Sequence, residues 1–397
     1  MSASQVVTPR LAVLRSRRGR KWSRVGGDVL PAWIADMDFL PAPPIRQTLL
    51  EAIETGDLGY GPTGAASGVP ESFASWAQRR WQWRIDPASV LVMPDVVGGL
   101  YNCIEALTEP GDAVVVQTPV YGPFLTSVRR SSRRLVTSDS IAAEIDSDAL
   151  DRALAGTRML LLCNPHNPTG RTLSRAELTR VAQLAAKHDV LVVSDEVHAD
   201  LVYPGHEHIP FASLGEDVAS RTVTLNSASK AFNVAGLRCA VCVAGSERLQ
   251  RKLTSLPPQR WTPFSTLGIR ATLAAWTEEG ERWLQACVAT LRARRDQVIE
   301  QLSLPGLPIR CSPPQASYLA WLDCRGLALD VEPADYFLER ARVALSPGLE
   351  FGEAGRGHAR LNFATSEEVL GRLLDRMIET CAGSSRASGS VSSVDSK

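Results

Sequence analysis

Lys230 sits in the segment SASKAFNVAGLR (227–238), among small residues that follow a β-rich run, in a chain with only five lysines. An amine held near an apolar sheet edge loses part of its preference for the charged form. As a neutral nucleophile it is suited to attack a carbonyl and form an imine. Asp195 emerges from a second β-rich run, VLVVS (190–194), and is either an ordinary capping residue or a carboxylate that faces a buried cation. A protonated pyridine nitrogen is one such cation, and pairing keeps the ring able to accept electrons from a carbanion. Ser227, Ser229 and Arg238 flank the lysine at short spacing, and VVGG (96–99) opens a helix elsewhere. Hydroxyls, a guanidinium and helix N–H groups are the donors that a phosphate requires.

Such residues need elements that bring them to one place. The runs AVVVQ (113–117), MLLLC (159–163), VLVVS (190–194) and TVTLN (222–226) alternate with helical patterns. That alternation predicts a mostly parallel sheet covered by helices. Ser174 and Glu177 form a capping-box pair, and Leu178, Val181, Leu184 and Ala185 follow at helical spacing. In a parallel sheet ligands bind beyond the carboxyl ends of the strands. Three polar segments fall at such ends: NPHNPTGR (164–171), DEVH (195–198) and the segment carrying Lys230. From about residue 290, helical patterns surround short strands such as SYLAWLD (317–323), which predicts a second, smaller α+β domain.

Composition narrows the function further. The chain has 397 residues, is 44% hydrophobic and 22% charged, and balances 43 Lys and Arg against 43 Asp and Glu. That is enough for a large core, and no global field draws the chain to nucleic acid or a membrane surface. The expected partner is a small molecule. No apolar run approaches the roughly 20 residues of a spanning helix, and MSASQVVTPR lacks the apolar core of a secretory signal. A cytoplasmic enzyme with reduced, mostly structural cysteines is expected. Cys239 and Cys242 form a C-x-x-C, but in a buried strand positions three apart face opposite ways, which argues against a shared metal. His206 and His208 read as a surface or supporting pair, and no metal is assigned. The basic run 15–24 reads as a solvated segment, and the Ser- and Gly-rich residues 383–397 as a flexible tail.

The motifs NPHNPTG, SDEVHADLVY and SxSKxFNxAGLR strongly resemble the fold type I enzymes of the class I/II aminotransferase family, which use pyridoxal 5'-phosphate (PLP). KW (21–22), PAWIADMDF (31–39), TPVYGPF (118–124), HEHIPFASL (206–214), YLAWLD and RLNFAT (360–365) are similar to the cystathionine β-lyase-type C–S lyase branch. The resemblance implies an aspartate aminotransferase-like α/β fold. Residues 1–45 then contribute to a small domain completed by 290–382, and 46–289 form the large PLP-binding domain.

It also implies roles. Lys230 holds PLP as a Schiff base, Asp195 pairs with the pyridinium, and Tyr121 stacks on the ring. Asn167 and His198 contact the phenolic oxygen. Ser227, Arg238 and the amides of Val96 and Val97 hold the phosphate. Tyr60 is lent across a homodimer interface, while Arg360 clamps the substrate α-carboxylate and Trp33 adds to the substrate site. Asp95 departs from the family's glycine before the Val-Val pair, and GPTGAASG after Tyr60 departs from its usual sequence. A carboxylate beside a phosphate is unfavourable unless it turns away or bonds a helix amide. The implied activity is α,β-elimination from cystathionine or another cysteine S-conjugate to give a thiol, pyruvate and ammonia. Aminotransfer, which uses the same residues, and a non-catalytic amino-acid-sensing role stand as alternatives.

Overall fold

The computed structural model describes residues 6–139, 144–262 and 265–388. Its centre is a seven-stranded sheet: β1 Val90–Met93, β2 Ala113–Gln117, β3 Arg134–Ser138, β4 Met159–Cys163, β5 Leu191–Asp195, β6 Thr222–Asn226 and β7 Ala240–Ala244. The strand order is β1-β7-β6-β5-β4-β2-β3. All neighbours are parallel except those of β7, which runs antiparallel to both β1 and β6. The expected mostly parallel sheet is therefore present.

Both faces of this sheet are covered, which explains why the central strands read as nearly continuous apolar runs. In β4, Met159, Leu161 and Cys163 join one core cluster while Leu160 and Leu162 join another on the opposite face. The C-x-x-C splits in the same way: Cys239 packs in one cluster and Cys242 in the other, and none of the eight cysteines is in a disulfide. Between β4 and β5 lies the helix Arg175–Lys187. Its Ser174 hydroxyl accepts from the Glu177 N–H at 3.2 Å, and the Glu177 carboxylate accepts from the Ser174 N–H at 2.9 Å.

The parallel register levels the carboxyl ends. Cys163 lies opposite Asp195, and Asp195 opposite Leu225, so the turns leaving β4, β5 and β6 open onto one edge. The helix Val96–Leu107 reaches that edge by lying close to the sheet at Gly99. A Cβ there would sit 2.7 Å from the Met93 sulfur and 3.1 Å from Leu225.

A four-stranded antiparallel sheet, β8 Arg310–Cys311, β9 Leu319–Asp323, β10 Ser346–Pro347 and β11 His358–Asn362, has the order β10-β11-β9-β8. Leu30–Pro31 pairs parallel with Val343–Ala344, so the N-terminal segment joins this later part of the chain. The 25-residue helix Glu278–Leu302 runs straight across residue 290, where the sequence reading places a boundary. The helix Glu367–Ser388 likewise continues through residues 383–388 of the expected tail, and residues 389–397 lie outside the described residues. Helical spacing is unbroken across residue 290, and no Pro or Gly marks an end there. No helix among the described residues is long and apolar enough to cross a membrane.

Candidate active site

A cavity of about 400 Å³ opens at the carboxyl edge of the large sheet, within the usual size of small-molecule sites. Lys230, Asp195, Tyr121, Asn167, His198, Ser227, Arg238, Val96, Val97 and Arg360 all line it.

Each comes from an element end. Asp195 is the last residue of β5, is buried, and accepts a hydrogen bond from the Val197 N–H at 3.1 Å. Burial pushes its carboxyl up to about 7; the Val197 bond and Lys230 pull down, and neighbouring Glu196 pushes up. Ser227 follows β6 and caps the one-turn helix Ala228–Ala231 that carries Lys230. The Lys230 amine donates to the Ala35 carbonyl at 3.1 Å, and burial lowers its proton affinity. The Ser227 hydroxyl donates to the Cys239 carbonyl at 2.7 Å and accepts from the Ser229 N–H at 3.0 Å. Arg238 has a left-handed backbone (φ 60°), as does Asn233 (φ 56°). Non-glycine residues rarely adopt it, and such strain gathers at functional sites.

His198 is buried, and burial depresses its imidazole to about 3, so it is neutral at ordinary pH. Its Nδ1 has no hydrogen-bond partner among the described residues. Tyr121 caps the helix Gly122–Arg130, and its backbone N–H donates to the Asn167 carbonyl at 3.1 Å. Asn167 in turn accepts from Arg360 Nη1 at 2.9 Å.

Arg360 comes from β11, 4% exposed. Its Nη2 donates to the Trp33 carbonyl at 2.9 Å and the Ser346 hydroxyl at 3.1 Å, while Nε is buried without a partner. Burial lowers its pKa to about 10. No carboxylate among the described residues pairs with this guanidinium. A buried cation without a counter-ion is costly, which marks a place for an anionic ligand.

Asp95 caps the helix Val96–Leu107, its Oδ1 accepting from the Gly98 N–H at 2.8 Å. Its Oδ2 pairs with Arg238 at 2.7 Å. The carboxylate thus bonds a helix amide, the condition under which its presence beside a phosphate site is tolerable.

Two residues stand elsewhere. The Trp33 ring is not in the cavity lining; Arg20 and Arg24 lie over it at 5.4 and 5.9 Å, and its contribution is the carbonyl that holds Arg360. Tyr60 is fully exposed in the loop before the Gly64–Ser67 turn and contributes nothing to this cavity.

Apart from Trp33, the sequence singles out no residue of the strap 33–38. Ala35 and Asp36 line the cavity. Asn362 donates to the carbonyls of Ile34 and Asp36, each at 2.6 Å. Asn233 bonds both the N–H and the carbonyl of Met37 at 2.8 Å. Beneath the strap Lys21 pairs with Asp38 at 2.9 Å, both buried, and Trp22 donates to the same carboxylate at 2.7 Å. KW and ADMDF were the only signals of this scaffold. Glu196 is fully buried and ties Ser194, the Phe211 N–H and His208 together at 2.8 to 2.9 Å, fixing the turn after Asp195. His208 of the H-x-H is thus a supporting residue.

A buried lysine and carboxylate at the open edge of a mostly parallel sheet, with an arginine from a smaller sheet closing the cavity, define an α/β enzyme of the aspartate aminotransferase-like fold. The family model described as aminotransferase class I and II matches residues 34–377, and the chain belongs to that family. It is 36% identical over 364 residues to cystathionine beta-lyase PatB of Bacillus subtilis, covering 88% of this chain and 93% of that one. To cystathionine beta-lyase of Corynebacterium glutamicum it is 35% identical, covering 93% and 98%. The PLP-bound C–S lyase from Staphylococcus hominis superposes with a TM-score of 0.86 at 28% identity, covering 96% of this chain and 99% of that one.

Proposed function

We propose that this chain is a PLP-dependent C–S β-lyase that cleaves cystathionine or another cysteine S-conjugate to a thiol, pyruvate and ammonia. The observation that carries the reading is the one cavity that Lys230, Asp195 and Arg360 line together, Arg360 being a buried cation with no carboxylate partner among the described residues. The relatives named above add the C–S lyase chemistry.

The cavity fits PLP. The unpartnered Nδ1 of neutral His198 and the side chain of Asn167 supply polar groups for its phenolic oxygen. Asp195 would hold its ring nitrogen, Tyr121 would cover its face, and Lys230 would bond its aldehyde carbon. Ser227, Arg238 and the Val96 and Val97 amides suit its phosphate. Asp195, raised to about 7 by burial, regains its charge beside a cation. When bound, PLP supplies an electron sink for the pair left by Cα–H cleavage.

The chain's own residues do the rest. Arg360 binds the α-carboxylate through the fork that Asn167, Trp33 and Ser346 hold in place. That fixes the Cα–H bond relative to the lysine. Lys230, whose proton affinity burial lowers, takes the Cα proton in its neutral form. The sulfur departs as thiolate and leaves as thiol once protonated. The reading includes a cytoplasmic homodimer in which the exposed Tyr60 reaches the partner's site.

The deciding experiment supplies purified protein and PLP with L-cystathionine and S-alkyl cysteines, with and without a keto-acid acceptor. Equal pyruvate and thiol without an acceptor is the expected result. Acceptor-dependent amino transfer without thiol would replace the reading with aminotransfer, and silence on all of these would remove it.

A further inference from the structure

Asp36 is a half-buried carboxylate that lines the cavity and has no hydrogen-bond or ion-pair partner among the described residues. Everything around it is fastened. Its N–H donates to the Ile34 carbonyl at 2.8 Å, and its own carbonyl accepts from Asn362 at 2.6 Å and Lys21 at 3.1 Å. The preceding Ala35 carbonyl accepts from both the Lys230 amine and the Tyr318 hydroxyl, at 3.1 and 3.0 Å. A backbone held at this many points, with its one charged group left open to the cavity, is a built feature rather than a stray surface acid.

We propose that Asp36 is the positioning residue for the proton on Lys230: its carboxylate holds the ammonium that the lysine becomes between taking the Cα proton and delivering one to the departing sulfur. The inference rests on the lyase reading. The proton balance is simple: the neutral amine gains one proton from Cα, and the ammonium returns one to the thiolate, leaving amine and thiol.

The charges around the amine show the need. Burial disfavours the ammonium, and Arg360 opposes it further; Asp36 is the leading group that supports it, ahead of Asp195. Asp195 is committed to the cofactor's ring nitrogen, and Asp95 is spent on Arg238 and the Gly98 N–H. The remaining groups facing the lysine are the neutral imidazole of His198 and the phenols of Tyr121 and Tyr318, both shifted upward by burial and so uncharged. Asp36 is the carboxylate left to balance the lysine against Arg360. It also faces Tyr318, whose hydroxyl is fixed on Ala35.

The test uses holoprotein of Asp36→Asn and Asp36→Glu. The visible absorbance of the bound cofactor, titrated against pH, reports the proton on the Lys230 nitrogen. The Asn variant is expected to move that midpoint to lower pH by about one unit, the lower end of the effect of removing one nearby opposite charge. The Glu variant should restore most of it. Turnover should fall by the same factor for L-cystathionine and for S-methylcysteine, which has no distal charge. An unmoved midpoint overturns the proposal. So does a loss confined to cystathionine, which would make Asp36 a contact for the distal ammonium of the substrate. If neither variant folds cooperatively, the carboxylate is structural and the proposal falls. A moved midpoint with no thiol from any substrate removes the lyase reading while leaving the placement of Asp36 supported.

Discussion

Replacing Asp95 with glycine, the residue that the family pattern carries there, should tighten PLP binding. In the structure the Asp95 carboxylate occupies a helix-terminal donor, the Gly98 N–H at 2.8 Å, and Arg238, expected on the phosphate, at 2.7 Å. A phosphate at the N-terminus of Val96–Leu107 must share those donors with a like charge. A unit charge pair about 5 Å apart is worth roughly 3 kcal/mol at an effective dielectric near 20 and under 1 kcal/mol in water. Arg238 is 58% exposed and Asp95 30%, so solvent screening brings the net effect to about 1–2 kcal/mol. Loss of the cap works against this by only a few tenths of a kcal/mol, since glycine is itself tolerated at N-cap positions. The expected outcome is a Kd for PLP about 5–30-fold lower. Asp95→Asn, which keeps a capping oxygen but no charge, should give a similar gain. Titration of cofactor-stripped protein by tryptophan fluorescence measures both, and the gain should shrink at high ionic strength. Unchanged or weaker binding in both variants would refute the reasoning. It would mean that Asp95 orients Arg238 for the phosphate rather than competing with it.

Lys21→Met should remove about 3–5 kcal/mol of stability in urea unfolding, because it strands the buried Asp38 carboxylate with Trp22 as its remaining side-chain donor. A loss below about 1 kcal/mol would show that Asp38 reaches water in the variant. In cofactor-free protein, Asp195 is raised by burial to about 7, above its unfolded value of 3.8, so the native state binds the extra proton. Its contribution is therefore favourable at low pH and is lost as pH rises from about 4 to 7. Melting temperatures of wild type and Asp195→Asn across that window should converge toward low pH and diverge toward neutrality, with the variant the more stable at pH 7. Parallel curves would contradict the assignment.

The sheet and most of the cavity were legible because one physical fact produces both. Strands buried on two faces read as apolar runs, and polar residues appear only where those runs end. Asp195 and Lys230 could thus be placed together from the ends of β5 and β6 without knowing the register. Arg360 came from the family resemblance alone, since the partners that hold it at the cavity, Asn167 and Trp33, lie 193 and 327 residues away in sequence. The contact that Trp33 makes with Arg360 could not be read from its side chain, since it is made by a backbone carbonyl that any residue could supply. Asp36 escaped notice for a related reason. It lies in a strap without regular periodicity, held by Asn362, Asn233 and Lys21, whose positions span more than three hundred residues of sequence.

That strap links the two halves of the site. Trp33 accepts from Arg360, and Ile34 and Asp36 accept from Asn362, so its first part is fastened to the small sheet. Ala35 accepts from Lys230, and Met37 is bonded on both sides by Asn233, so the same residues are fastened to the lysine segment that follows β6 of the large sheet. Fewer than six residues of backbone thus set the carboxylate clamp relative to the base. A substrate whose α-carboxylate pulls on Arg360 also loads the segment that holds the lysine, and the Lys21–Asp38 pair beneath it resists the displacement. Proton abstraction at Cα depends on the reacting atoms being within a few tenths of an ångström of their productive separation. A chain that positions both partners from one rigid strap meets that condition without requiring the two sheets to be placed independently.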